Sequence, residues 1–354
     1  MSKGKLISIG AICILIVFIV YKAISGSVSD VVQDKYSIVF IDLFDTRTEI
    51  TGYDVDEESF AENAAYIKDR LTYYNQLYDI YNSYEGFNNI RDINENAGVQ
   101  PVVVNEDIIE LIKFGKDIYY ETDGQVNIAM GSLLSIWHEY RQAGIDSPKT
   151  AALPSTEELQ EAATHTDIED VVIDEVAGTV FLADAQMSLD VGGIAKGYAV
   201  ERVVQEGREH GIDHLLLNVG GNISCIGTKG NKGDFNIGIQ NPDLDSEELY
   251  IETVSISNGV CVVSSGDYQR FYEVDGTRYC HIIDPDTLYP ATEFKQVSIV
   301  ADDSGKADAF STAVFNMTLH EGQEFISNHP GVEAMWVMQD GSIVYSKGFN
   351  DKRI

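Results

Sequence analysis

Two glycine-rich segments end apolar strands and expose backbone N–H groups that suit an anion. The longer one, residues 188–198 (SLDVGGIAKGY), places Gly192 and Gly193 just before a predicted helix, with Lys196 in the first turn. Such glycines let the backbone approach a ligand, and the free N–H groups and the lysine charge suit a phosphate. Asp190, at the strand end, can accept a hydrogen bond from a ligand. The pattern predicts a phosphate site, and it also fits a plain strand-to-helix turn with a solvated lysine.

The glycine spacing matches neither GxGxxG nor GxxxxGK[ST], so neither a dinucleotide-fold dehydrogenase nor a P-loop enzyme is supported. The second segment, residues 218–222 (NVGGN), follows an apolar strand. Gly220 and Gly221 would let a ring or a backbone pack closely, although such a pair alone more often forms a bulge or turn.

A histidine near the end of a predicted strand is the candidate acid or base. His281 lies in residues 279–285 (YCHIIDP), and its pKa needs little adjustment for proton transfer at neutral pH. Asp284, three residues later, is the second candidate. A lone histidine in a strand is more often structural, so the assignment depends on the neighbouring motifs.

A carboxylate and a hydroxyl four residues apart form a candidate metal site. Asp308 and Thr312, in residues 306–314 (KADAFSTAV), share one face of a predicted helix. Oxygen ligands favour Mg²⁺ over zinc. The alternative is an acidic residue that only complements the helix dipole.

The elements around these residues predict an α+β fold with mixed or antiparallel sheets and packed helices. Residues 36–50 read as a strand, and most remaining strands lie in the last third. Residues 142–156 are small and polar, which predicts a surface excursion. Apolar spacing and caps predict helices over 57–81, 105–122, 156–164 and 194–210.

An uncharged run near the N-terminus indicates export. Residues 6–20 (LISIGAICILIVFIV) follow two lysines and span 15 residues, short of the roughly 20 that cross a bilayer. We favour an uncleaved anchor over a cleaved signal; either places residues 31–354 outside the cytoplasm as one domain, with residues 1–30 as anchor or signal and stalk. Ile12 before Cys13 does not fit a lipoprotein signal.

The exported part is strongly acidic. After residue 22 there are 57 acidic and 21 basic side chains, a net charge of about −36, which makes nucleic acid an improbable partner. Cys225, Cys261 and Cys280 are an odd set in apolar contexts, so we expect buried thiols and not a disulfide framework.

In this order, DVGGIAKGYAVE, LLLNVGGN, HIIDPDT and ADAFSTAVF resemble the ApbE family, the FAD:protein FMN transferases. The resemblance runs from about Tyr36 to near the C-terminus and implies an ApbE-like, T-fold-like domain. It assigns the metal to the Gly193 carbonyl, Asp308 and Thr312. It assigns FAD contacts to Phe44, Tyr81, Gln125, Val126, Asn127, Asp190, Lys196 and Ile283.

One segment departs from the family pattern. Where relatives read like DGxFDI, this chain has DGQVNI, so Val126 replaces an aromatic residue and Asn127 replaces an acid. Asn127 can still hydrogen-bond a flavin or ribose edge, but it adds no charge.

The resemblance implies Mg²⁺-dependent transfer of FMN from FAD to a Ser or Thr hydroxyl, with release of AMP. The implied acceptor is a flavoprotein of an extracytoplasmic electron-transfer system. Three alternatives remain. FAD hydrolysis to FMN and AMP would leave FMN free, a flavin-binding protein would show no turnover, and an adhesion module would bind no FAD.

Overall fold

The computed structural model describes residues 33–354, so the predicted membrane segment and most of the stalk lie outside the described residues. The helices are α1 (Glu57–Leu77), α2 (Ile90–Glu95), α3 (Glu106–Glu121), α4 (Gly131–Asp146), α5 (Thr156–Ala163), α6 (Ala195–Glu209), α7 (Ser304–Asn316) and α8 (Leu319–Ser327). The strands are β1 (Asp34–Leu43), β2 (Thr46–Asp54), β3 (Val102–Val103), β4 (Val171–Asp174), β5 (Thr179–Leu182), β6 (Leu215–Val219), β7 (Asn222–Ile226), β8 (Phe235–Gln240), β9 (Tyr250–Ile256), β10 (Cys261–Gly266), β11 (Phe271–Val274), β12 (Thr277–Cys280), β13 (Phe294–Ala301), β14 (Glu333–Met338) and β15 (Ile343–Tyr345).

One sheet of eight strands organises the molecule, in the order β1-β2-β6-β7-β10-β13-β14-β15. Its neighbouring strands pair antiparallel throughout. Three smaller antiparallel sheets, β3-β5-β4, β8-β9 and β11-β12, lie outside it. The α+β prediction with antiparallel sheets is therefore confirmed for residues 33–354.

Helices α6 and α7 pack against each other and against the central strands of this sheet. Their close approach depends on Gly197, because a methyl group built there would lie 2.3 Å from Asp308 Cβ and 2.3 Å from the Ser304 carbonyl oxygen. Burial of apolar residues such as Val200, Val203, Phe310 and Val314 holds the two helices on the sheet. The packing brings two predicted functional segments together.

The predicted helices occur with small changes at their ends. Asn105 and Ser155 act as N-caps, accepting from the N–H groups of Asp107 and Glu158. The predicted excursion begins later than expected, because α4 continues to Asp146.

The predicted strand over residues 36–50 is instead a hairpin. Phe44 and Asp45 adopt φ angles of 52° and 49°, and this left-handed pair reverses the chain between β1 and β2. A two-residue turn of this kind matches the twist of paired strands. The sequence lacks the usual Asn-Gly or Asp-Gly, which is why the turn was missed.

Cys225, Cys261 and Cys280 are free and buried, as predicted. Within residues 33–354 every helix is too short or too polar to cross a bilayer.

Candidate active site

The turn before α6 engages several of the N–H groups that the sequence analysis expected to be free for an anion. Gly192 donates its N–H to Asp190 Oδ1 at 2.8 Å, and the N–H groups of Ile194 and Ala195 return to the Val191 carbonyl. Lys196 Nζ lies 3.4 Å from the Gly192 carbonyl, so the lysine folds back over the turn. Its charge therefore lies beside the backbone N–H groups at the helix start, which favours an anion.

Residues 188–190 run beside the loop that follows α3. Gly131 donates its N–H to the Ser188 carbonyl at 2.9 Å, and Asp190 donates its N–H to the Ile128 carbonyl at 2.9 Å. Asn94 bonds both backbone groups of Leu189, at 2.7 and 2.9 Å. These hydrogen bonds join the glycine turn to the loop after α3, which carries the predicted FAD contacts at residues 125–127.

Within that loop, the three predicted FAD residues have different surroundings. Gln125 donates to Asp286 Oδ2 at 3.1 Å, while its Oε1 is buried without a partner. Val126 is buried in the core. The Asn127 amide donates to the Thr166 carbonyl and accepts from the Ala129 N–H, so both ends of the side chain hold the loop. Gln125 retains a free acceptor for a ligand.

Asn316, at the end of α7, links this loop to the segment after β12. Its Nδ2 donates to the Gln125 carbonyl at 3.2 Å and to the Ile283 carbonyl at 3.3 Å. Two segments predicted separately to contact FAD are therefore adjacent. A polar cavity of about 430 Å³ opens beside them, with Asn127 and Asp286 among its lining residues.

Phe44 and Tyr81 lie at the ends of secondary elements. Phe44 is half-buried in the β1–β2 turn, where its N–H donates to Asn75 Oδ1 at 2.7 Å. Tyr81 is 57% exposed, and its ring lies 5.9 Å from the ring of His138 on α4. Partial burial and the nearby Asp190 carboxylate raise the pKa of Tyr81. Tyr81 thus presents a largely exposed ring beside α4.

Two arginines that the sequence analysis missed complete a cluster of positive charge. Burial and the charge of Arg270 lower the pKa of Arg141. Arg141 Nη2 lies 3.0 Å from His138 Nδ1, and Arg270 donates to the Asp45 carbonyl at 3.3 Å. The Asp190 carboxylate also lies near, and its pKa is raised by burial.

His281 lies one residue beyond β12 and faces this cluster. Burial, followed by the charges of Arg270, Lys196 and Arg141, lowers the pKa of His281 to about 3. Its Nδ1 is buried without a hydrogen-bond partner. The imidazole is therefore neutral at physiological pH and has a nitrogen available for a ligand.

Asp284, the second candidate base, is engaged by its own turn. Its Oδ1 accepts from the Asp286 N–H at 2.8 Å and its Oδ2 accepts from Thr287 Oγ1 at 2.9 Å. These bonds hold the carboxylate in the loop. His281 is the better candidate for proton transfer.

The predicted metal ligands come together where α6 meets α7. Asp308 is 5% exposed, and its Oδ2 accepts from the Gly197 N–H at 2.8 Å. Thr312 lies one turn further along α7, and its Cγ2 would lie 3.9 Å from a methyl group built on Gly193. Burial raises the pKa of Asp308, although Lys196, the Gly197 N–H and Asn222 oppose the shift.

The residues present fit a hard divalent cation. A carboxylate in this buried position is costly unless a positive charge compensates it, and the Asp308, Thr312 and Gly193 groups all supply oxygen. Among residues 33–354, no three His, Cys, Asp or Glu side chains cluster as a metal centre. A cation here would therefore depend on one carboxylate, one hydroxyl and one carbonyl.

A signal in the sequence could have identified Arg141. On α4 the positions three and four residues away hold Trp137, His138, Gly144 and Ile145, so no acid on the helix can pair with the arginine. In a chain with 57 acidic and 24 basic residues, a partly buried arginine without such a neighbour is available to a ligand. Arg270, in a loop, has no comparable signal.

Comparison with known proteins gives a consistent result. A model of the ApbE family matches residues 44–336. An FAD:protein FMN transferase of Treponema pallidum (strain Nichols) is 35% identical over 274 residues, which cover 73% of each chain. One from Klebsiella pneumoniae (strain 342) is 31% identical over 258 residues, covering 73% of this chain and 77% of the relative. The family model thus spans most of the chain.

Solved structures share the fold. The ApbE protein of Thermotoga maritima has a TM-score of 0.79 at 28% identity, covering 91% of this chain and 100% of that chain. The flavin transferase ApbE of Vibrio cholerae has a TM-score of 0.74 at 21% identity, covering 90% and 99%. At that lower identity the likeness shows the fold alone.

Proposed function

The chain belongs to the ApbE family of FAD:protein FMN transferases, and we propose that it moves FMN from FAD to a Ser or Thr hydroxyl of another protein and releases AMP. One observation carries this proposal beyond the family. The glycine turn that begins α6 and the Asp308 carboxylate of α7 are joined directly by the 2.8 Å bond from Gly197 N–H. This bond supports a phosphate site and a cation site that lie side by side, as attack on a pyrophosphate requires.

The FAD pyrophosphate is proposed to bind between the α6 turn and the cationic cluster of Lys196, Arg141 and Arg270. The chain has a net charge of −33, so this cluster is a positively charged patch on an acidic protein. Burial and the charge of Arg270 lower the pKa of Arg141, and a bound anion would relieve this repulsion. Tyr81 and Phe44 offer aromatic rings at the rim of the same site.

Mg²⁺ is proposed to be held by Asp308, Thr312 and the Gly193 carbonyl. When bound there, it would neutralise phosphate charge that develops during transfer. The chain prepares the position by burying one carboxylate and fixing one of its oxygens with the Gly197 N–H. The other oxygen remains for the cation.

Transfer forms a bond between the acceptor hydroxyl oxygen and the phosphorus nearer the flavin, and breaks the bond from that phosphorus to the AMP oxygen. The hydroxyl proton needs an acceptor, and His281 is proposed for this role because it is neutral in the folded chain. Burial and three neighbouring cations destabilise its protonated form, which makes it a weak base in the empty site. Bound pyrophosphate would offset those charges, so substrate binding is expected to strengthen the base.

The acceptor is proposed to be an extracytoplasmic flavoprotein. The supporting feature is the apolar run over residues 6–20, which we propose anchors the chain in the cell membrane with its catalytic domain outside. Covalent attachment would retain flavin on a protein that faces a diluting medium. The acceptor would therefore be exported as well.

The test is to incubate the full chain with FAD, Mg²⁺ and a candidate extracytoplasmic flavoprotein, and to follow acceptor mass and AMP with and without chelator. A gain of one FMN phosphoester with AMP release, abolished by chelator, is expected. AMP and free FMN without acceptor modification would instead indicate a hydrolase. FAD binding without AMP would indicate a carrier.

A further inference from the structure

Asn316 is the last residue of α7, the helix that carries two of the proposed metal ligands. Asp308, Thr312 and Asn316 follow one another at steps of four residues, so the three side chains share one face of the helix. The proposed cation site and the proposed proton transfer make no use of Asn316. Its hydrogen bonds show what the side chain does instead.

The carboxamide of Asn316 bridges two segments that are distant in sequence. Its Nδ2 carries two N–H groups and donates to the Gln125 carbonyl at 3.2 Å and to the Ile283 carbonyl at 3.3 Å. Turning the amide over would place Oδ1 against these two acceptors, so the two carbonyls fix the orientation of the side chain. Oδ1 is buried and has no hydrogen-bond partner among residues 33–354.

The Asn316 bridge is the more protected of two side-chain links between these segments. The other is the bond from Gln125 Nε2 to Asp286 Oδ2 at 3.1 Å, which lies at the surface. Water competes with an exposed bond of this kind, whereas the bonds of Asn316 are partly buried. Loss of the asparagine amide would therefore leave the two segments joined by the weaker link.

We propose that Asn316 is a positioning residue that holds the Gln125 and Ile283 segments at the spacing that FAD requires. Both segments are predicted FAD contacts, and one amide restrains a backbone carbonyl in each. Loops that are already held in place lose less conformational freedom when a ligand binds. Because Asn316 lies on α7, it also fixes both segments relative to the proposed cation site. The inference rests on the proposed function, since it names a residue that organises the FAD site.

Two substitutions remove the bridge in different ways. Asn316→Asp keeps the size of the side chain but replaces the donor with an acceptor, which repels both carbonyls. Asn316→Leu removes donor and acceptor together. Asn241→Asp is the matched control, because Asn241 Nδ2 also donates to a backbone carbonyl, that of Glu248, at 3.0 Å. Asn241 lies between β8 and β9, a sheet that carries none of the proposed site residues.

The experiment separates FAD binding from turnover. Full-length wild type and the three variants are titrated with FAD in chelator, and FMN transfer is then measured against FAD concentration with Mg²⁺. Both Asn316 variants should bind FAD roughly tenfold more weakly, with the KM for FAD raised by a similar factor. Their kcat should stay within about twofold of wild type, because bound FAD itself holds the segments at saturation. Asn241→Asp should match wild type in all three quantities.

Wild-type FAD affinity in both Asn316 variants would overturn the inference and leave the proposed transfer intact. A lower kcat with an unchanged KM for FAD would also overturn it, since it would place Asn316 in the chemical step. Urea unfolding in chelator shows whether each variant is folded, and Asn316→Asp decides the question if Asn316→Leu is not. FAD binding by wild type without FMN transfer would contradict the proposed function, while the FAD affinities would still test Asn316.

Discussion

The protonation of His281 is set by the charges around it, and this has a measurable effect on stability. Its pKa of about 3 in the folded chain lies below the ordinary value of about 6.5 for an exposed histidine. Between these two values the unfolded chain binds a proton that the folded chain does not. Folding stability is therefore lost as pH falls from about 6.5 towards 3, by about 1.4 kcal/mol per pH unit for this one group.

We expect His281→Gln to lose stability less steeply than wild type between pH 6 and pH 4.5. Urea unfolding at several pH values in chelator measures the slope. His320→Gln is the control, because His320 is exposed on α8 and should leave the slope unchanged. Parallel pH profiles for wild type and His281→Gln would contradict the assigned environment.

The arginines of the cationic cluster are expected to contribute to FAD binding. Arg141→Gln and Arg270→Gln each remove one charge that faces the proposed pyrophosphate. We expect each to weaken FAD affinity roughly tenfold, in the range of a lost charge-assisted hydrogen bond. Arg91→Gln controls for net charge, since Arg91 is an exposed arginine paired with Glu95. FAD affinity equal across all three variants would remove the cluster from the site.

At the scale of single residues, the sequence predicts the site residues that belong to short ordered motifs. Asp190, Lys196, Asp308 and Thr312 were predicted because each sits beside glycines or on a helical face with its partner. Arg141 and Arg270 were missed, because they come from separate elements and only the tertiary fold brings them to His281. A single sequence carries no local pattern that shows which distant segments lie close together in the folded chain.

At the scale of elements, the α6–α7 contact decides whether the two halves of the site meet. Gly197→Ala would place a methyl group 2.3 Å from Asp308 Cβ, so the helices must separate. We expect a loss of about 1–3 kcal/mol in the free energy of unfolding, the usual cost of overpacking, together with weaker Mg²⁺ binding.

Gly193→Ala is the matched control for that substitution. A methyl group there meets only Thr312 Cγ2, at 3.9 Å, and the residue is not among the glycines with positive φ. Its free energy of unfolding in chelator should stay within about 0.5 kcal/mol of wild type. Denaturant unfolding of both variants tests this, and equal losses would show that the close contact at Gly197 does not govern the packing.

Helix limits were predictable because local signals set them, whereas strand pairing was not. The caps Asn105 and Ser155 fix helix starts within their own turn. The order of the large sheet joins β2 to β6 across more than 150 residues, and no local pattern encodes that choice. The missed turn at Phe44 belongs to the same class, because tertiary pairing stabilises its left-handed backbone.

At the scale of the whole molecule, the acidic surface and the metal site respond to cations in different ways. The chain carries 57 acidic and 24 basic side chains, so its folded form is destabilised by self-repulsion at low salt. Added salt shortens the screening length from about 30 Å at 0.01 M to about 10 Å at 0.1 M. Any divalent cation will therefore stabilise the protein in part through screening alone.

Comparison at equal ionic strength separates the two effects. We expect MgCl₂ to raise the unfolding temperature of wild type more than NaCl does, because a ligand that binds only the folded state adds about 2.7 kcal/mol at 100 times its Kd. Asp308→Ala should gain equally from both salts, since screening does not depend on one carboxylate. If MgCl₂ stabilises Asp308→Ala as much as wild type, the effect of Mg²⁺ comes from the surface charge, and the α6–α7 junction is not its site.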